Sequence, residues 1–527
     1  MEEYNRGLFH KWVPGLGQLA LIVLLLAVVL LINPVNAGNI GQMSASTGVF
    51  SEYYMWGTYA VIIGLSLVLP FILRIKYRFR SKQLLITALL VMAAMSMVVA
   101  TTHKGEIVVV ACLIFGVAKM MGMVEMLLPI QGILSPDGNK KRFYAVFYPI
   151  SIGSGQIGTF LTSVISLETS WQYMHYCSTA TLLLLVVVCI IFVHNQRFAK
   201  KMPFIHIDWL GLLLFATALM STAYIYAFGK QQDWFNSQYV ITAVIIVIVS
   251  VFALIIRQLN IRHPFLSFKL YKIKDVRFGI LLLIGQGMFM GVSVIMSIYT
   301  SAILGYNWKI NAELSLMTIP GLVAAGFVAL HWTKHQIPIK MYIFSGFAAY
   351  FLYTVMLYFM MVPQLNISQL YLPQMLNGYG MCALFISVWI YTFDNVPQNT
   401  ILPSVAPIMI FRSFVMMGLF TALFGWLQYE LQWQSIGNLA IYFDTLTANH
   451  YSETGSLRDI QSGAILSANK TLLGYASVAG FAILTFVLLF QFGRLKYRIA
   501  RHPLYIAKKL RQAELSRQIG EITGSLE

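Results

Sequence analysis

Long apolar runs, separated by short polar segments, recur along the whole chain. About 20 apolar residues in a helix cross the roughly 30 Å hydrocarbon core of a bilayer. The runs are continuous and do not alternate with polar residues, which favours helices over the strands of a membrane barrel. The pattern predicts fourteen membrane helices, at residues 15–35, 53–73, 83–102, 107–133, 143–166, 174–193, 209–228, 239–256, 279–304, 314–332, 341–362, 370–393, 408–428 and 472–492.

The composition agrees with a protein that lies mostly within a bilayer. The 527 residues are 58% hydrophobic and 10% charged, a balance that no class of water-soluble globular domain shows. The four cysteines all fall within apolar runs and form no Cys-x-x-Cys motif. Neither a disulfide framework nor a zinc site is therefore indicated.

The distribution of positive charge predicts the orientation of the helices. The chain holds 36 Lys and Arg residues and a net charge of +17, and most of these residues collect in alternate loops, such as the segment RIKYRFRSK. Cytoplasmic loops retain positive charge. Both termini are therefore predicted to lie on the cytoplasmic side of a bacterial inner membrane, and the net charge needs no nucleic-acid partner.

The middle of the chain carries a family resemblance. Residues 206–278 begin HIDWLGLLLF and end with LSFKLYKIKDVRF. The shared marks lie at the start of predicted helix 7, in the turn after it, and after helix 8: Asp208, Gly211, Gly229, Asp233, Trp234, Ser237, Pro264, Phe268, Leu270 and Tyr271. The segment resembles the central region of the fourteen-helix drug:proton antiporter branch of the major facilitator superfamily, the EmrB/QacA type.

The resemblance implies a fold and an activity. The fold is all-α, with six-helix bundles at residues 1–200 and 261–493, two inserted helices at 201–260, an irregular polar outward loop at 429–471 and a basic cytoplasmic tail at 494–527. The implied activity is secondary export of lipophilic or amphipathic small molecules, driven by the proton gradient without a cofactor. Membrane lipid surrounds such a protein, and a periplasmic adaptor and an outer-membrane channel are the implied partners, with the outward loop as a candidate contact.

The first half departs from the family pattern in ways that affect coupling. The loop after helix 2 keeps its basic residues but lacks the family's glycines and aspartate. Helix 5 lacks the Gly-Pro pair, although Gly153, Gly155 and Gly158 still permit close helix packing. Asn33 stands near the position of a common acid in helix 1, and Gln258 replaces the acid at the end of helix 8. Proton coupling is therefore not assigned to the usual residues.

Two charged residues interrupt helix 4. Lys119 and Glu125 are six residues apart, which is about 600° of rotation, so they cannot pair with each other and each needs another partner. A charge at this depth is costly and usually faces the bundle interior or an aqueous cavity. Glu125 is a candidate proton carrier, and Lys119 is a candidate either for tuning the ionisation of Glu125 or for attracting an anionic substrate. The alternative is that both residues form interhelical ion pairs that hold the first bundle together.

Further candidates lie in the second half. Arg412, near the start of helix 13, is predicted to form a gating salt bridge with Asp394, which is also a second candidate for proton coupling; a snorkelling arginine is the alternative. Three amides are candidates for lining a central cavity: Asn377, Gln286 and Gln156.

Three other functions compete with multidrug export. A dedicated exporter of one endogenous anionic lipid or metabolite is favoured by Lys119 and by the missing antiport marks. A non-transporting scaffold with the same fold is the second alternative. A membrane enzyme would need clustered acids or a His–Asp pair at one interface, and the sequence has neither at a suitable spacing.

Overall fold

The computed structural model describes residues 8–36, 38–134, 140–197, 207–261, 264, 271–335, 337–393, 396, 405, 407–440 and 457–490. Within these ranges the backbone is helical, apart from connecting segments and an antiparallel bridge between Phe9 and Val193. Thirteen of the described helices are long and apolar enough to cross a membrane, and the first apolar helix has 17 residues. The predicted all-α fold with fourteen membrane helices is confirmed.

The membrane helices are numbered α1–α14 in chain order. They comprise α1 (Gly15–Leu31), α2 (Ser51–Val68), α3 (Ser81–Thr101), α4 (Gly105–Leu134), α5 (Lys140–Glu168), α6 (Trp171–Phe192), α7 (Trp209–Phe228), α8 (Gln238–Asn260), α9 (Lys274–Ile298), α10 (Thr318–His335), α11 (Ile339–Met360), α12 (Tyr371–Phe393), α13 (Met417–Ala440) and α14 (Leu457–Leu489). Short helices precede several of them, among them Ile40–Thr47 before α2, Ile72–Arg78 before α3, Trp308–Leu316 before α10 and the π-helix Phe411–Met416 before α13.

Two groups of helices bury separate cores. Buried side chains of α1–α6 form one cluster, which includes Leu25, Phe115 and Leu182. Buried side chains of α9 and α11–α14 form another, which includes Phe289 and Tyr350, and α10 packs on α12 of this second group. We call these groups the N-bundle and the C-bundle. The face of the membrane beside the loop between α3 and α4 is called the outer face, following the predicted orientation.

The inserted helices do not have equivalent positions. A third cluster joins Ile63 of α2, Phe215 of α7 and Phe414 of the π-helix before α13. Trp56 of α2 also donates its indole N–H to the carbonyl of Met220 at 3.1 Å. Helix α7 therefore packs against both bundles, whereas α8 packs on α7 and exposes most of its surface.

The outward loop differs from its prediction. Helix α13 continues to Ala440 and α14 begins at Leu457, so the irregular structure predicted for residues 429–471 is wrong for most of the described part. At about 1.5 Å per residue the 33 residues of α14 are roughly 50 Å long, well beyond the hydrocarbon core. The polar composition marked where the chain leaves the bilayer, but polar residues can continue a helix into water. Residues 441–456 and the tail at 494–527 lie outside the described residues.

Candidate transport site

A cavity of about 330 Å³ lies between the two bundles. Helix α5 contributes Gln156 from the N-bundle, and the C-bundle contributes Tyr353 of α11 and Asn377 of α12. Residues of α9, of the segment that follows it and of the short helix Trp308–Leu316 form much of the described wall. Both bundles therefore share one cavity, which has the volume of a small-molecule site.

Two of the three predicted amides reach this cavity. Gln156 and Asn377 line it, and Asn377 donates to the side-chain oxygen of Gln374 at 3.3 Å. Gln286 does not line it. That side chain is 1% exposed on α9, and its amide makes no hydrogen bond within the described part of the chain. Tyr353, which the sequence did not single out, lines the cavity with a buried hydroxyl that has no partner among the described residues.

The outer end of the cavity is covered by contacts between the bundles. A Cβ built on Gly41 of the short helix Ile40–Thr47 would lie 2.5 Å from Cζ2 of Trp308, so the indole ring rests directly on this glycine. Next to it, the ammonium of Lys309 lies 3.8 Å from a carboxylate oxygen of Glu168, with both side chains exposed. Only a glycine leaves room for Trp308 here, and the exposed ion pair contributes little by itself.

The cytoplasmic half of α5 packs directly on α10. A Cβ on Gly326 would lie 2.8 Å from Cγ of Pro149 and 2.9 Å from the carbonyl oxygen of Ala145. The ammonium of Lys141 lies 5.3 Å from the centroid of the Trp332 ring. The bundles are therefore in contact on both sides of the cavity.

Arg412 joins the two bundles through aromatic side chains. It is 7% exposed in the π-helix Phe411–Met416, and Nη1 donates to the Tyr148 hydroxyl of α5 at 3.4 Å. The guanidinium lies 4.1 Å from the centroid of Phe385 and 4.9 Å from that of Trp389, the distances of cation–π contacts. It is therefore not a snorkelling arginine. The predicted partner Asp394 lies outside the described residues.

Glu125 forms a buried ion pair with Lys76. The ammonium of Lys76, on the short helix Ile72–Arg78, lies 3.1 Å from Oε2 of Glu125. The side chains are 1% and 0% exposed, and Oε1 of Glu125 has no hydrogen-bond partner within the described ranges. Glu125 therefore forms an interhelical ion pair, which was the alternative prediction for this residue. Lys76 was missed because it stands among the five basic residues of a segment that was used only to assign orientation.

Lys119 binds the carboxyl end of α1. Its ammonium donates to the carbonyls of Leu30 at 3.1 Å and Ile32 at 3.0 Å, and to the side-chain oxygen of Asn33 at 2.8 Å. An ammonium has three N–H donors, and a helix C-terminus carries partial negative charge. As predicted from its rotation, Lys119 does not pair with Glu125. It lines none of the described cavities, and its three donors are all engaged.

We therefore expect Lys119→Met to destabilise the protein by about 2 kcal/mol, because buried carbonyls of α1 lose a charged donor. The thermal unfolding midpoint of purified protein measures this, with exposed Lys104→Met as the control. The variant and the original protein should give equal rates in assays of the export of anionic compounds. An unchanged midpoint together with a selective loss of anion export would restore Lys119 as a substrate-binding residue.

Asp208 connects the start of α7 to the end of α8. Its carboxylate accepts the backbone N–H of Gly211 at 2.8 Å, Nε of Arg257 at 2.7 Å and the amide of Gln258 at 2.7 Å. Burial opposes ionisation, but these hydrogen bonds and the Arg257 charge outweigh it and lower the pKa of Asp208. The predicted N-terminal position of Asp208 on α7 is confirmed, and its role is structural.

Comparisons with known proteins identify the class. No protein-family profile matches the sequence. The chain is 21% identical over 267 residues to the probable multidrug resistance protein EmrY of Escherichia coli (strain K12), covering 49% of this chain and 51% of that protein. It is 21% identical over 196 residues to the multidrug export protein EmrB of the same strain, covering 37% and 38%. The matches therefore span about half the length of these curated relatives or less.

Solved structures match over most of the chain. A peptide transporter POT in complex with sulfate superimposes with a TM-score of 0.55 at 13% identity, covering 90% of this chain and 95% of that one. The nucleoside transporter NupG gives 0.51 at 14% identity, covering 90% and 99%. The chain therefore has the fold of these transporters. The relatives named above confirm the resemblance to the drug:proton antiporter branch, and the thirteen long apolar helices among the described residues are those of a multi-pass membrane protein. The location in a bacterial inner membrane and the orientation of the termini stay predictions.

Proposed function

We propose that this protein is a secondary active exporter that expels lipophilic or amphipathic small molecules in exchange for protons. The observation that carries the proposal is the cavity shared by the two bundles, because cargo bound between two rocking bundles can be reached from each side in turn. The names of the two relatives, a multidrug resistance protein and a multidrug export protein, support the same direction of transport.

Glu125 is the proposed proton carrier. Its carboxylate lies within a membrane helix, one of its oxygens is unpartnered among the described residues, and the ammonium of Lys76 stabilises its charged form. Protonation would release Lys76 and with it the contact between α4 and the short helix before α3. Asp394 stays a second candidate for coupling on sequence grounds alone. Energy comes from the proton gradient, so the proposal needs no cofactor.

A periplasmic adaptor and an outer-membrane channel are proposed partners. The structure supplies a surface for such contact, because α13 and α14 both extend beyond the hydrocarbon core on the outer side. Exposed aromatic residues such as Trp433 lie on this extension.

The alternative of a dedicated exporter of anionic lipids or metabolites has lost its main support, since the Lys119 ammonium is occupied by carbonyl and amide oxygens.

Flux into proteoliposomes of purified protein tests the proposal. A panel of neutral, cationic and anionic amphipathic compounds would be assayed by counterflow and then under an imposed pH gradient. We expect counterflow of at least one compound, and accumulation under the gradient that a protonophore abolishes. Counterflow without gradient-driven accumulation would remove proton exchange from the proposal. No flux of any compound would favour the non-transporting scaffold.

A further inference from the structure

The wall of the inter-bundle cavity carries no acidic or basic side chain among its described residues. The buried charged side chains described above do not line this cavity. Lys76 and Glu125 pair with each other, Lys119 binds the end of α1, and Arg412 lies among aromatic rings. A charged molecule entering the cavity would lose water and meet no counter-charge. Such a transfer is strongly unfavourable, whereas a neutral polar molecule needs only hydrogen bonds.

The hydroxyls of the wall mostly offer acceptor lone pairs. Ser293 donates to the carbonyl of Met290, Thr300 to that of Met296, and Ser315 to that of Asn311. Thr159 and Thr318 likewise donate to carbonyls of their own segments. Because these protons are already used within the helices, the oxygens can accept hydrogen bonds from a bound molecule but can scarcely donate to it.

Tyr353 provides the complementary group. Its side chain is 1% exposed, it lines the cavity, and its hydroxyl has no partner among the described residues. Buried hydroxyls are rarely left unsatisfied, and a molecule bound in the cavity would supply the missing partner. It can donate to a carbonyl or hydroxyl oxygen of a ligand and can also accept.

The rest of the wall is apolar and adaptable. Met296, Leu314 and the ring of Trp308 face the same space as the amides and hydroxyls. Methionine fills irregular gaps, and an indole ring packs well on flat apolar groups. The cavity thus combines an apolar surface with hydroxyls that mostly accept hydrogen bonds and with amides that both donate and accept.

We propose that this cavity binds uncharged amphipathic molecules that carry hydroxyl or amide groups beside an aromatic or aliphatic body, and that it rejects their cationic and anionic counterparts. This inference rests on the proposed function, because it takes the cavity as the cargo site. It narrows that function to neutral cargo.

Equilibrium binding to the purified full chain in lipid nanodiscs tests the selectivity without any gradient. Three radiolabelled esters of chloramphenicol serve as probes, since they share one donor-bearing aromatic body: the neutral acetate, the cationic glycinate and the anionic hemisuccinate. We expect the acetate to bind at least tenfold more tightly than either charged ester. Equal or tighter binding of a charged ester, or no saturable binding of the acetate up to its solubility limit, would overturn the proposal.

Variants locate the binding to this cavity. We expect Tyr353→Phe to weaken binding of the acetate about three- to tenfold, the effect of one hydrogen bond. Tyr350→Phe is the matched control. Tyr350 lies on the same helix and its buried hydroxyl has no partner among the described residues, but it does not line the cavity, so this variant should not change binding. Asn377→Asp adds a negative charge to the wall and should make the glycinate the preferred ester.

The variants also give outcomes that count against the proposal. Equal effects of Tyr353→Phe and Tyr350→Phe would mean that the hydroxyl acts on the fold and not on the ligand. An unchanged order of the three esters in Asn377→Asp would place the binding site elsewhere. Selective binding without any flux in proteoliposomes would contradict the export function alone, whereas flux that ignores charge would contradict only the selectivity.

Discussion

Replacing Lys76 by methionine is expected to destabilise the protein by about 3–5 kcal/mol, because it leaves the Glu125 carboxylate buried without its counter-charge. Both side chains are almost completely buried, so water cannot substitute for the ammonium. The thermal unfolding midpoint and the yield of monodisperse protein in detergent measure the effect. Lys82→Met is the control, because Lys82 is half-buried and the bond from its ammonium to the carbonyl of Ile190 is exposed to solvent.

The double variant Lys76→Met/Glu125→Gln separates stability from coupling. It replaces the ion pair by neutral side chains of similar size, a change that often costs little, so most of the lost stability should return. Counterflow should continue, since exchange of cargo needs no proton. Accumulation driven by a pH gradient should be lost, because no titratable group remains at this position. Accumulation at the original level in the double variant would remove Glu125 from the coupling mechanism.

The position of this pair explains one departure of the sequence from its family. The segment after α2 lacks the glycines and aspartate that the resemblance led us to expect. It instead forms the short helix Ile72–Arg78, which carries Lys76 to α4. A contact between this segment and α4 is therefore present, but it lies within the N-bundle and uses a lysine and a glutamate.

Hydrophobic patterning predicted the number and order of the membrane helices because each helix must satisfy its own backbone in lipid. It predicted the ends less well. Helix α1 ends at Leu31 and not at the predicted residue 35. Lys119 binds carbonyls at this end of the helix, and it lies 87 positions away from Ile32 in the sequence, so the apolar pattern of helix 1 could not predict the contact. Helices α13 and α14 continue past the apolar runs, because leaving the bilayer does not end a helix.

Rotation along α4 predicted that Lys119 and Glu125 do not pair, since helix geometry alone decides it. Their actual partners depend on how distant segments pack, which spacing does not encode. The same limit applies to Arg412: its aromatic surroundings come from α5 and α12, and only its burial could be suspected from a charge within an apolar run.

Of the three glycines of α5, only Gly158 makes a close approach, because a Cβ built on it would lie 2.6 Å from the carbonyl oxygen of Leu31.

Glycines also show that the two bundles repeat one packing arrangement. In the N-bundle the second and fourth helices meet where Gly64 lies on the backbone at Leu113 and Gly116 lies on the carbonyl of Val61. In the C-bundle the corresponding helices, α10 and α12, meet where Gly321 lies on the carbonyl of Met375 and Gly378 on that of Thr318. Such reciprocal contacts let helix backbones approach more closely than any side chain would permit.

Gly116→Ala and Gly378→Ala are therefore expected to destabilise the protein by more than the roughly 1–3 kcal/mol that is typical of overpacked cores, because the added methyl meets a backbone carbonyl. Gly132→Ala is the matched control on α4: nothing lies within 4 Å of its Cβ position, so the better helix propensity of alanine should leave stability equal or raise it by up to about 1 kcal/mol. Thermal unfolding midpoints of the purified variants measure the difference. Since each substitution separates two helices of one bundle, both should also weaken binding at the shared cavity. Midpoints that fall equally in all three variants would show that the close contacts are not what holds the second and fourth helices together.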